Sequence, residues 1–73
     1  MKKNQWVVPN KDGWGVRGEG NDKLTSKTDT KAEAEAIAKE IAKNQKSELV
    51  ILGKDGKIQS RNSYGNDPYP PKG

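Results

Sequence analysis

Between Lys31 and Gln45 the chain runs without a glycine or a proline, and no other stretch constrains the fold as much. Five alanines fall in this window, and alanine is the residue that a helix holds most cheaply. Ala34, Ile37, Ala38 and Ile41 recur at helical spacing with Ala42 at the margin, which makes one narrow apolar stripe. Thr30-Lys31-Ala32-Glu33 has the form of a capping box, in which the Thr30 hydroxyl accepts from the Glu33 amide and the Glu33 carboxylate reaches back. Glu33 and Glu35 stand near the positive end of the helix dipole, and Lys39, Lys43 and Lys46 stand towards the negative end. A stripe of small residues lets a helix lie close against a sheet but adds little bulk. The bulk has to come from Trp6 and Trp14.

The strands flank this helix on both sides. Gln5 to Val8 reads as a strand with Trp6 and Val8 on one face and Val7 on the other. Pro9 to Gly13 is a cluster of turn formers, and Trp14 to Arg17 then alternates with Trp14 and Val16 inward. Lys23 to Thr28 alternates around Leu24 as a third, edge strand. Glu48 to Leu52 is the most strongly marked strand, with Leu49 and Ile51 facing one way and Val50 and Leu52 the other. Asp55-Gly56 supplies a tight turn, and Lys57 to Arg61 returns around Ile58. The expected fold is α+β: a single, mainly antiparallel sheet, β-β-(β)-α-β-β, with one helix packed on one face. Residues 1–62 make this one domain, and residues 63–73 form an irregular tail rich in proline and tyrosine.

Composition narrows the chemistry. With 73 residues the chain has room for one thin core. It contains neither cysteine nor histidine, so disulfides, thiolate zinc sites and imidazole bases are all ruled out. The longest apolar run is Leu49 to Leu52, too short for a membrane span, and the location expected is cytoplasmic. Mean hydropathy is -1.16, near the border of disorder, but the large apolar residues fall in short, bounded groups, as in a folded chain. The net charge of +4 is spread evenly: six basic and four acidic residues in 1–30, four and three in 31–46, four and three in 47–73. Such mixing describes a solvated surface more readily than a dedicated polyanion site.

Taken in order, several segments resemble a family of small bacterial proteins, domain-of-unknown-function family 2188. They are Trp6-Val7-Val8-Pro9, Gly13-Trp14-Gly15-Val16, Gly18-Glu19-Gly20-Asn21, Thr30-Lys31-Ala32-Glu33-Ala34, Glu48-Leu49-Val50-Ile51, Asp55-Gly56-Lys57-Ile58 and the tail from Ser63 to Pro71. The resemblance spans nearly the whole chain and implies a shared fold. It carries no catalytic residue and no settled activity.

No pattern of residues points to catalysis, and no cofactor or metal is expected. Gly13 to Gly18 has the spacing of a dinucleotide fingerprint but lies within a hairpin instead of opening a helix. Asp12 and Asp55 sit in turns, where such side chains satisfy backbone groups, and lack a calcium-binding loop. The reading is a non-enzymatic module with an unknown protein partner, another copy of itself included. Val7, Val50 and Leu52 on the outer sheet face, with Tyr64 and Tyr69 from the tail, are the candidate protein interface, and a strand edge is the other surface that could serve. The alternative is a nucleic-acid-binding accessory protein that uses Arg17, Lys54, Lys57 and Arg61. Trp6 and Trp14 could serve as stacking platforms for single-stranded nucleic acid, but as the two largest apolar residues of a chain short of core they are expected in the core.

Overall fold

A computed structural model of the protein describes residues 3–21 and 23–64. The elements are β1 (Gln5–Asn10), β2 (Gly13–Gly18), β3 (Ser26–Thr28), α1 (Lys31–Gln45), β4 (Glu48–Leu52) and β5 (Ile58–Ser63). One five-stranded sheet has the order β3-β2-β1-β4-β5. The fold is the α+β arrangement expected, but the sheet is mixed: β1 and β4 pair in parallel at its centre, and the other three pairings are antiparallel. A parallel central pair suits Leu49-Val50-Ile51, because a central strand is buried on both faces and can be apolar throughout.

The helix begins and ends by identifiable local bonds. Glu33 N–H donates to Thr30 Oγ1 at 3.2 Å, the first half of the expected capping box. The second half differs by one residue, for the Glu33 carboxylate accepts from Asp29 N–H at 3.3 Å and not from Thr30. At the other end Lys46 adopts a left-handed conformation, φ 53°, and donates back to the carbonyls of Ala42 and Lys43. Ala34, Ala38 and Ala42 are fully buried, and Ile37 and Ile41 flank them at the margin of the core. The stripe is therefore centred on the alanines, one step round from the expected centre. That lets the helix backbone come close to the sheet, where Val7, Trp14, Val16, Leu49 and Ile51 supply the volume.

Register decides which strand residues meet the helix. Lys11 and Asp12 alone join β1 to β2, so Asn10 pairs with Gly13, Pro9 with Trp14 and Val7 with Val16. Residues that pair across a sheet share a face. Val7 therefore lies with Trp14 and Val16 under the helix, and Trp6 and Val8 lie on the opposite face. This corrects the expected outward position of Val7, which is fully buried in the core cluster, and the expected core position of Trp6, which is half-buried on the other side. Pro9 has no N–H to donate. It stands just beyond Gln5 to Val7, the stretch of β1 that pairs with β4.

The second hairpin turns where expected. Gly56 has φ +82°, Gly53 N–H donates to Lys57 O at 2.8 Å, and Lys57 N–H donates to Asp55 Oδ1 at 3.1 Å. Strand β5 then runs to Ser63, two residues past the expected end, with a bulge opposite Ile51 and Leu52. Tyr64 N–H donates to Ser47 O at 3.1 Å, and its ring packs against the core cluster.

Candidate interaction face

The helix covers one side of the sheet. The other side presents Trp6 and Val8 from β1, Gly15 and Arg17 from β2, Lys27 from β3, Val50 and Leu52 from β4, and Ile58 and Arg61 from β5, as the pairings dictate. Arg17 pairs with Trp6, Trp6 with Val50, and Val50 with Arg61. One cross-strand row thus reads Arg-Trp-Val-Arg. At a strand spacing of about 4.8 Å, the backbones of the two arginines stand roughly 14 Å apart.

The next row contains Lys27, Gly15 and Val8. A Cβ on Gly15 would lie 2.7 Å from Leu24 Cδ1, so the leucine occupies the place a side chain there would take. Leu24 thereby extends the apolar floor from Val8 and Val50 towards β3. Both valines are buried by their neighbours, whereas Trp6, Leu24 and Leu52 are half-buried and Ile58 is 52% exposed.

Carboxylates lie at one end of this face, and both have internal partners. Glu19 Oε1 accepts from Trp6 Nε1 at 3.2 Å and from Asn4 Nδ2 at 3.1 Å. These bonds fix the indole edge and leave the ring as part of the surface. Asn4 Oδ1 accepts from Glu48 N–H at 2.9 Å, which ties β1 to the start of β4. Arg61 makes an ion pair with Glu48 at 3.2 Å, between side chains 61% and 43% exposed. It is the one salt bridge among the described residues, and no described carboxylate lies at pairing distance from Arg17 or Lys27.

The candidate residues divide accordingly. Val50 and Leu52 lie on the helix-free face as expected, and Val50 is 1% exposed and serves as floor, not contact. Val7 belongs to the covered core. Tyr64 packs on the helix side, away from Val50 and Leu52, and Tyr69 lies outside the described residues. Of the four basic candidates, Arg17 and Arg61 share the Trp6 row. Lys54 and Lys57 sit in the β4–β5 turn at the end of the sheet, with Lys54 beside Pro9, Asp12 and Trp14. The four do not form one cluster.

Leu24 and Lys27 enter the face without having been candidates for it, and Trp6 enters it although it was expected in the core. The signal that places Trp6 there is the two-residue turn, which fixes the parity of β1 against β2. Among the described residues no group of acidic side chains is arranged to hold a metal ion, and no helix is long and apolar enough to cross a membrane.

No solved structure matches the chain. It is 36% identical over 66 residues to "Uncharacterized protein YdaT" of Bacillus subtilis (strain 168), an alignment that covers 90% of this chain and 44% of that protein. The chain thus spans less than half the length of this relative. The family model described as "Uncharacterized protein conserved in bacteria (DUF2188)" matches residues 5–64, from the first residue of β1 to the tyrosine that closes the core, and the chain belongs to that family.

Proposed function

We propose that the protein is a non-enzymatic interaction module that binds another protein through the helix-free face of its sheet. The row Arg17-Trp6-Val50-Arg61 over the floor of Val8 and Val50 is the observation that supports this most directly. Tryptophan and arginine are enriched among the residues that dominate protein interfaces, which join a largely apolar centre to a polar rim. Here the centre is apolar and the rim carries both signs, Glu19 and Glu48 against Arg17, Lys27 and Arg61. An accessible apolar surface of this kind is costly to leave in water on a chain so poor in apolar residues.

The test is a pair of affinity purifications from a native host, one with the wild-type chain and one with Leu52→Lys combined with Ile58→Lys. Both residues are at least partly exposed, so the variant should keep its circular dichroism spectrum. The reading expects proteins that co-purify with the wild type to be lost with the variant. Retention of every one of them would contradict it.

Nucleic acid is the second reading, because Arg17 and Arg61 do share a face with an accessible tryptophan ring. Base stacking on Trp6 with phosphate contacts from the arginines would give binding that falls steeply with salt. Against it stand the carboxylates of Glu19 and Glu48 on the same face and the separation of Lys54 and Lys57 from the row.

A further inference from the structure

Resting on that reading of the face, we infer that its partner is an acidic polypeptide segment, one that sets a carboxylate against Arg17 and Lys27 and an apolar side chain against Trp6. The distribution of charge carries the argument. Both carboxylates of the face are already engaged inside the chain: Glu19 by the Trp6 and Asn4 side chains, Glu48 by Arg61. On the β2–β3 side, Arg17 is half-buried and Lys27 exposed, and neither has an acidic neighbour at pairing distance among the described residues. A half-buried guanidinium gives up part of its hydration and gains most from a bidentate oxygen acid supplied from outside.

Three occupants compete for the site. A second copy of this chain would bring its own Arg17 and Lys27, which no described carboxylate pairs, to the interface, so like charges would accumulate where opposite ones are needed. A nucleic acid would supply the negative charge, but its evenly spaced phosphates would also pass close to Glu19 and Glu48. The floor of Val8 and Val50 offers its bases no hydrogen-bonding group. A polypeptide can place one or two carboxylates on the β2–β3 side and an apolar residue beside them. It alone satisfies both halves of the face.

The experiment selects binders from a random-peptide display library with the full chain as bait, then locates them by backbone amide chemical-shift changes. Oligothymidylate is tested in parallel. The expected result is a selected set enriched in Asp and Glu next to an aromatic or aliphatic residue, with shifts centred on Trp6, Arg17 and Lys27. Arg17→Glu should weaken these peptides about tenfold or more. Lys-for-Glu versions of the same peptides should recover binding to that variant. Lys27→Glu, at an exposed position, repeats the test should Arg17→Glu fail to fold.

Peptides that map to this face with no acidic preference would overturn the inference and leave the interaction face standing. Peptides that map elsewhere, or an empty selection, would overturn both. Salt-sensitive oligothymidylate binding at Trp6, without peptide binding, would replace both with the nucleic-acid reading.

Discussion

The two tryptophans stand on the same hairpin, and they separate the two faces of the sheet. Trp14 lies under α1 among valines and alanines, 9% exposed, with the Lys31 ammonium 5.2 Å from its ring centroid. Trp6 lies on the other face, half-buried, its indole N–H held by Glu19 and its ring beside Arg17 and Val50. The covered face is closed by small residues on a helix that approaches the sheet closely. On the helix-free face no element closes the apolar side chains among the described residues, and the charges lie around them. One hairpin therefore builds a core on one side and a surface suited to a partner on the other.

The largest loss of stability is expected at Trp14. Trp14→Ala should cost about 3–5 kcal/mol, enough to unfold much of a domain this small, as read by urea denaturation. Trp6→Ala should cost about 1–2 kcal/mol, since it loses half-buried apolar area and one hydrogen bond. Equal losses at the two positions would remove the distinction between the faces.

The contrast in burial was only partly legible in the sequence. Helix α1 and strand β4 were, because capping, periodicity and an apolar run each pointed to one answer. The parity of β1 was not: Trp6-Val7-Val8 is apolar at every position, so alternation alone fits either face. What decides is the length of the turn, two residues where the cluster Pro9 to Gly13 allowed up to five. Parallel pairing of β1 with β4 was hidden for a related reason. It depends on β2 and β3 folding outward on one side of β1, and no local pattern records that. The end of β5 was missed because Asn62 and Ser63 are polar, and only pairing with Leu49 and Glu48 makes them strand. Of the candidate interface, Val50 and Leu52 were legible from the β4 alternation, whereas Trp6 and Lys27 emerged only with the register.

Smaller effects sharpen the same contrast. Thr30→Ala removes the hydroxyl that accepts from Glu33 N–H and loosens the cover over Trp14, at about 1 kcal/mol. The denaturation midpoint should fall while Trp6 fluorescence in the folded state stays as it was. Ile58→Lys, on the open face, should change stability by no more than about 0.5 kcal/mol, because the residue is already 52% exposed and a lysine stem can cover the same surface. A clear loss of stability there would mean that the face is closed by contacts within the chain.

The most direct measurement is iodide quenching of two single-tryptophan proteins, Trp14→Phe, which retains Trp6, and Trp6→Phe, which retains Trp14. Trp6 should emit at longer wavelength and be readily quenched, whereas Trp14 should emit at shorter wavelength and be protected. Equal protection of both, or the reverse order, in proteins with native circular dichroism would contradict an open face built around Trp6.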